Sequence, residues 1–477
     1  MGDTPLDPGG TAVVVGSSLA GLRAAQTLRA EGFTGRLVVV GAEHHAPYDR
    51  PPLSKQYLAR TWGLDRLWLS PQAKLDALGL ELLSGRRATS LSLEEHLVEL
   101  DGTDHVRFDA LVVATGATPL TFAGLGGVGG VHLLRTVDDA DALGARLGEG
   151  VRLVVIGGGF IGSEVAATAR HLGASVTLVE PLPTLLVRAL GHQVGEVCEA
   201  AHREHGVDVR VGLAAVALQL SDGRRAPLDG VGPRPEPPAG TGPRVEEPDG
   251  GGGPGSESSA GAGPRPDLPT GARPRREPAA RSGPGSDVAP PTATVTAVEL
   301  ADGTTVPADV VLVAIGVAPA VSWLAGSALS LDGGVVVGPT LHAAREVVAA
   351  GDVARWPFGA DGRLVRVEHW TNASEQGVAA ARSLLAGRRH APVHDPVPYV
   401  WSDQYDLKIQ VIGLPDADDE LHVVDGSLAS GRFVAVYGRH GTVTGAVGIG
   451  RPRQLMGVRP AVQRRGLVAD AIAVLDA

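Results

Sequence analysis

Sulfur and aromatic side chains are scarce in this chain: one cysteine, Cys198, two methionines, and 4 % Phe, Trp and Tyr among 477 residues. A single thiol cannot close an internal disulfide, so neither a disulfide framework nor an internal redox-active cysteine pair is open to the sequence. No apolar run reaches the roughly 20 residues that a bilayer-spanning helix needs. Residues 1–10 lack the basic and apolar regions of a secretory leader, and a cytoplasmic location is the expectation. Positive charge is not in excess either. With 42 Lys and Arg against 53 Asp and Glu, the net charge is −11, which gives no footing for nucleic acid as a partner. No metal-ligating set is expected. What is present is an ordinary soluble composition, 43 % hydrophobic and 20 % charged, at a length that suggests roughly two to four domains.

Two apolar runs, residues 11–15 and 151–156, are each followed by a glycine-rich turn and a helical pattern. Val- and Leu-rich runs at 37–40 and 176–179 come next. Strand, tight turn, helix and strand make the βαβ unit of a parallel sheet, and its occurrence twice points to a duplicated nucleotide-binding fold. Runs at 110–114, 310–315 and 347–350 supply further strands. Between residue 221 and about 292, Gly, Pro, Ser, Ala and charged residues dominate. Such a stretch buries too little apolar surface to offset its ordering entropy, and a disordered insertion is expected there. Alternating segments at 215–220 and 294–300 flank it, so it extends a hairpin loop; a flexible linker between independent domains is the alternative. From residue 392 onward, short alternating strands such as 432–437 and 442–449 suggest a separate α+β domain.

The second glycine turn reads Gly157, Gly159, Gly162. The first glycine permits the turn, the second lets backbone approach a pyrophosphate, and the third lets helix and strand pack closely. The helix N-terminus then presents free N–H groups and a positive dipole end to phosphate. Glu180 ends the next strand, near the spacing at which an acid accepts from a ribose 2′-hydroxyl. The first turn is imperfect: Gly16, Ser18, Gly21, with serine at the middle position and Glu43 after the following strand. Taken alone it could be a non-binding relic.

Further segments carry a resemblance. Ala114-Thr115-Gly116 closes a strand, and Ala350-Gly351-Asp352 follows another. More specific are Pro47-Tyr48-Asp49-Arg50-Pro51-Pro52-Leu53-Ser54-Lys55, Glu368-His369-Trp370-Thr371-Asn372-Ala373 and Trp401-Ser402-Asp403-Gln404-Tyr405. Together they resemble the FAD-dependent ferredoxin reductases of bacterial oxygenase systems, over about residues 11 to 470 apart from the insertion. The departures are Ser18 and the insertion itself. The resemblance implies an α/β fold: two Rossmann-like dinucleotide-binding domains of the glutathione-reductase kind and a C-terminal α+β domain. It divides the chain into an FAD-binding domain (10–121 and 317–391), an NAD-binding domain (122–316, holding the insertion) and a C-terminal reductase domain (392–477).

By the same resemblance, Gly16, Gly21, Glu43, Arg50, Lys55, Thr115 and Asp352 hold FAD; Ser18, Gly116 and Gly351, which share their motifs, are further cofactor-binding candidates. Gly157, Gly159, Ile161, Gly162, Glu180 and Gly316 hold the nicotinamide nucleotide, with Arg188 nearby. Lys55 and Glu164 form a pair beside the flavin and nicotinamide rings, and Trp370 lies at the flavin edge. A plain ion pair, a packing tryptophan and a turn-forming Asp352 are the bland alternatives. The implied enzyme is an NADH-dependent ferredoxin reductase passing electrons from NADH through FAD to a small iron–sulfur ferredoxin. That ferredoxin would serve a haem-thiolate monooxygenase or a ring-hydroxylating dioxygenase. NADPH is the less expected donor because Glu180 repels a 2′-phosphate. Arginines 451, 453, 459, 464 and 465 form a basic stretch suited to an acidic partner.

Three rivals remain at this point. A disulfide or thiol-peroxide reductase on the same fold needs a cysteine near residues 44–57, and none is there. A membrane NADH–quinone reductase wants an amphipathic anchor, and residues 451–477 lack a bulky apolar face. A flavin-containing interaction protein resembling apoptosis-inducing factor would use the insertion for partner binding.

Overall fold

In the computed structural model, residues 6–235, 293–359 and 361–476 are described. Two parallel five-stranded sheets dominate. In the first, strands run in the order Val347–Ala349, Ala110–Val113, Thr11–Val15, Arg36–Gly41, Glu81–Ser84. In the second, the order is Val131–His132, Val310–Val313, Arg152–Ile156, Ser175–Glu180, Asp208–Val211. The central strands, such as Ala110–Val113 and Val310–Val313, are buried at every position. Continuous Val/Leu runs are what a sheet covered on both faces requires. Helix Leu19–Ala30 covers the first sheet together with helix Trp370–Ala386, and helix Phe160–His171 covers the second.

The third part is an antiparallel sheet in the order Tyr399–Gln404, Leu407–Gly413, Thr442–Ile449, Arg432–Arg439, Glu420–Ser427. Its alternation sends Val434, Val436 and Ala446 towards Leu455, Val458 and Ala461 of helix Pro452–Arg464. Phe433, Ala435 and Tyr437 point the other way, into one core with Leu190, Val194 and Cys198 of helix Val187–Glu204. The Tyr437 hydroxyl donates to the Leu190 carbonyl at 2.6 Å. This small sheet is thus packed onto the second dinucleotide fold.

Strands Ala215–Leu220 and Ala293–Leu300 pair antiparallel, so the glycine- and proline-rich stretch does begin in a hairpin. Its first residues depart from expectation. Arg225–Pro227 adds a strand beside Ala215–Leu220, and Gly232–Pro233 pairs with Ala117–Thr121. Arg225 bonds to Glu299, and Arg234 to Asp139 at 2.7 Å. Residues 221–235 are therefore structured, which corrects the expected start of the insertion; 236–292 lie outside the described residues. Backbone pairing accounts for the difference, because it needs no apolar side chains.

No helix among the described residues is long and apolar enough to cross a membrane.

Candidate functional site

A cleft of about 930 Å³ runs between both glycine turns and the antiparallel sheet. The turns build its two ends for the same steric reason. Gly16 and Gly157 adopt φ +117° and +111°, and a Cβ on either would lie 2.0 or 2.3 Å from the carbonyl oxygen of Ala114 or Ala314. Gly21 and Gly162 approach the carbonyls of Gly16 and Gly157 so closely that a Cβ would come within 1.8 and 2.0 Å. These four positions are dictated by the chain's own backbone, and Gly16, Gly21 and Gly162 lie outside the cleft lining. Gly159 differs: a Cβ there meets no protein atom within 4 Å, and the residue lines the cleft. Nothing in the chain beyond its neighbours therefore demands glycine at that point. Ser18, its counterpart, caps helix Leu19–Ala30 in extended conformation, and its hydroxyl makes no capping bond. Each helix therefore begins with first-turn N–H groups that lack intrahelical partners, aimed at the cleft where phosphate would sit.

Two acids stand beside the turns. Glu180 is buried; its carboxylate accepts from the Gly158 N–H at 2.7 Å and the Leu182 N–H at 2.9 Å. Glu43 accepts from the Tyr48 hydroxyl and pairs with Arg50 at 2.6 Å, next to Ser18. Burial pushes the Glu43 carboxyl up, but the Arg50 charge and hydrogen bonds from Tyr48 and Arg50 outweigh it and hold the group below its ordinary range.

At the centre, Lys55 Nζ lies 2.7 Å from Glu164 Oε2, both nearly buried. The Ser54 hydroxyl donates to the same oxygen at 2.5 Å and the Ser402 hydroxyl to Oε1 at 2.7 Å. Asp352 is held by Arg135 at 2.8 Å. Trp370 starts helix Trp370–Ala386; its indole N–H donates to Asp49 at 2.6 Å, and its ring meets Trp401 edge-on, with centroids 6.0 Å apart. His369 has an unpartnered, buried Nδ1 and also lines the cleft, where burial lowers its pKa to about 4.

The expected residues largely converge. Ser18, Arg50, Lys55, Gly116, Gly157, Gly159, Ile161, Glu164, Glu180, Arg188, Gly316, Gly351, Asp352 and Trp370 line the cleft. Ile161 is 44 % exposed, unusual for its size unless the cleft is its partner. Thr115 lies outside the lining and its hydroxyl donates to the Ala320 carbonyl at 2.8 Å. Sequence reasoning missed Asp49 and Arg135 in the lining, Arg366, which also lines it and donates to the Asp352 carbonyl at 3.1 Å, and Ser54 and Ser402 on Glu164. Ser54, Asp49 and Ser402 sat inside the quoted motifs; nothing in the local sequence marked Arg135. Of the basic stretch, Arg451 is 3.3 Å from Asp425 and Arg465 2.6 Å from Asp395, while Arg453 and Arg464 stay exposed. Cys198 is fully buried in helix Val187–Glu204, and burial raises its thiol to about 12. That is the setting of an inert thiol, not a redox one.

The donor set fits a bound dinucleotide at each end: an open glycine or a free serine at the turn, helix N–H groups, and an acid at ribose reach. Known proteins agree. Residues 10–228 and 283–377 match the family "pyridine nucleotide-disulphide oxidoreductase", and 399–477 match "reductase C-terminal". The chain is 32 % identical to the rhodocoxin reductase of Rhodococcus erythropolis, over 94 % of this chain and 88 % of the other. It is 34 % identical to the ferredoxin–NAD(+) reductase component of the anthranilate 1,2-dioxygenase system of Burkholderia cepacia, over 92 % and 91 %. The putidaredoxin reductase in its covalent complex with putidaredoxin superposes with a TM-score of 0.78 at 28 % identity, covering 98 % of this chain and 99 % of that one. With both dinucleotide folds, the C-terminal sheet and full-length relatives in agreement, this chain belongs to the pyridine nucleotide-disulphide oxidoreductase family.

Proposed function

We infer that the protein is an NADH-dependent ferredoxin reductase, carrying electrons from NADH through bound FAD to a small iron–sulfur ferredoxin that supplies an oxygenase. The single observation that carries this reading is one continuous cleft joining two dinucleotide turns, with the Lys55–Glu164 pair between them. Ser18, Gly116, Arg50 and Asp352 would hold FAD; Gly159, Ile161, Glu180 and Gly316 would hold the nicotinamide nucleotide. Bound there, the flavin supplies the junction between a hydride donor and a one-electron acceptor. The chain's own task is alignment. Glu43 is fixed by Arg50 and Tyr48 so that a ribose meets a preset carboxylate. Asp352 is fixed by Arg135, and Trp370 by Asp49. Lys55 places a positive charge in a nearly buried position, where it is worth far more than in water. Glu180, anchored through both oxygens, disfavours a 2′-phosphate and so favours NADH, with Arg188 in the same cleft acting against it.

The test is NADH-driven reduction of ferredoxins from the same organism across a salt series. A ferredoxin reduced faster than free FAD allows, with a rate that falls as salt rises, is expected. Preferential reduction of a quinone or a thiol substrate would overturn the acceptor.

A further inference from the structure

Beyond Glu164, a line of buried polar groups leads away from the cleft into the antiparallel sheet. The Ser402 hydroxyl lies 2.7 Å from Glu164 Oε1, and the Gln404 amide nitrogen 3.1 Å from Ser402 Oγ. Gln404 Oε1 is 3.1 Å from His202 Nε2, and the Tyr405 hydroxyl is 3.1 Å from His202 Nδ1. Ser402, Gln404 and His202 are all fully buried. Tyr405 is partly exposed and stacks on the exposed His205 with ring centroids 3.8 Å apart. The chain therefore reaches from the redox cleft to the surface. It joins helix Val187–Glu204 to strand Tyr399–Gln404, which are about 200 residues apart in sequence.

Its direction follows from donor and acceptor counting. The Glu164 carboxylate, paired with Lys55, only accepts, so the single hydroxyl proton of Ser402 must go to it. Ser402 Oγ then has only lone pairs left and needs a donor, which fixes the Gln404 NH₂ on that side and its carbonyl towards His202. A carbonyl cannot donate, so His202 carries its proton on Nε2. Nδ1 is left as an acceptor, and Tyr405 donates to it. Burial lowers the His202 pKa to about 4, so the ring is neutral at pH 7 and can act as both donor and acceptor.

We propose that Tyr405, His202, Gln404 and Ser402 form a one-way hydrogen-bond chain, every donor pointing towards Glu164, that makes the C-terminal sheet the positioning device for the Lys55–Glu164 pair. Such a polarised network strengthens its last bond and locks its members' rotamers. Ser402, Gln404 and His202 are positioning residues: they touch Glu164 or each other, not the reacting groups. The proposal rests on the reading that the Lys55–Glu164 pair serves the redox centre.

Two measurements on the FAD-loaded enzyme test it. In the first, long-range ¹⁵N–¹H correlation of ¹⁵N-histidine-labelled protein, His202 is identified by its loss in His202→Gln. A neutral ring with the proton on Nε2 is expected at pH 7, and Gln404→Leu, which removes the acceptor of that proton, should shift the Nε2 resonance. A proton on Nδ1, or an Nε2 resonance unmoved by Gln404→Leu, overturns the chain whatever the enzyme's activity. In the second, rapid-mixing flavin reduction by NADH, Ser402→Ala should lower the maximal rate about tenfold. The half-saturating NADH concentration should stay within about twofold. Ser402→Thr, which keeps the hydroxyl, should restore the rate. An unchanged rate in Ser402→Ala beside a slow Glu164→Gln overturns the positioning role. Unchanged rates in both variants, with the expected tautomer intact, place the failure in the redox reading of the pair instead.

Discussion

The two glycine turns are the same device built to different tolerances. At the first and third positions they coincide: Gly16 with Gly157, and Gly21 with Gly162, each face a backbone oxygen within 2.3 Å of a Cβ. At the middle position they part, serine in one and glycine in the other, although both cap their helices in extended conformation, at φ −82° and −75°. The outer glycines answer to the chain's own packing, whereas the middle residue faces the cleft. The flanking acids differ too. Glu180 is held by backbone N–H groups, whereas Glu43 is held by two side chains, Tyr48 and Arg50. The first site depends on residues that can be removed, the second on backbone that cannot.

The largest effects should come from the outer glycines. Gly21→Val forces a side chain against the Gly16 carbonyl and the Val14 side chain. Overpacking of this severity costs about 3 kcal/mol or more, and we expect little soluble, yellow protein. Gly21→Ala and Gly162→Ala place the same Cβ 1.8 and 2.0 Å from a carbonyl, without the branch of valine, so each forces its own turn to shift and the pair separates the two turns. The first should lower bound flavin per chain, read as the ratio of flavin to protein absorbance. The second should keep flavin and raise KM for NADH. Equal flavin loss in both would mean that the turns do not divide the two nucleotides between them.

Next comes the pair that only the first site uses. Glu43→Gln removes the charge that pairs with Arg50 and one of the two acceptor oxygens, and should weaken FAD retention about tenfold, measured by titrating apoprotein with FAD. The effect should depend on pH in a defined direction. The folded-state carboxyl of Glu43 lies below its unfolded value. Its stabilisation is therefore fully present above the unfolded pKa of about 4.3 and is lost as pH falls through the lower folded value. Thermal midpoints of wild type and Glu43→Gln should accordingly differ at pH 7 and converge as the solution is acidified below about pH 4. A gap that widens in acid would reverse the assignment.

How far these features could be read from sequence follows the range of the interactions. Periods of two and of 3.6 residues, and the glycine spacing, are local, and both parallel sheets and both turns were legible from them. The clamps on site residues are not local. Glu164 meets Ser402 across 238 residues, Arg135 meets Asp352 across 217, and Trp370 meets Asp49 across 321. No window along the chain contains both partners, so motif reading found one member of each pair and not its support. The start of the glycine- and proline-rich stretch failed for the opposite reason. Composition there reads as unstructured, yet Arg225–Pro227 and Gly232–Pro233 are held by backbone ladders, to which composition is blind.

A smaller effect should attend the second acid. Glu180→Gln keeps the size of the side chain and an acceptor for one of the Gly158 and Leu182 N–H groups, but turns an amide NH₂ to the other and removes the charge. We expect kcat/KM for NADH to fall severalfold and that for NADPH to rise, narrowing the preference by about tenfold. Arg188, in the same cleft, then has no opposing carboxylate at that point. A wild-type enzyme that already prefers NADPH would remove Glu180 from its assigned role.

The smallest effect should come from the middle positions, and it is the sharpest test of the comparison because the two directions of exchange are unequal. Ser18→Gly removes a hydroxyl that makes no capping bond. Its cost as a helix cap is a few tenths of a kcal/mol, so FAD affinity should change by less than about twofold. Gly159→Ser adds a small side chain whose Cβ meets no atom beyond its chain neighbours, so the apoprotein's thermal midpoint should stay within about a degree of wild type. Whatever that side chain costs must then appear only against a bound nucleotide, as a raised KM for NADH with flavin content unchanged. If Gly159→Ser lowers the thermal midpoint of the apoprotein as much as it weakens NADH, the middle residue is set by packing after all. The division between chain-dictated outer glycines and a ligand-dictated middle residue would then fall.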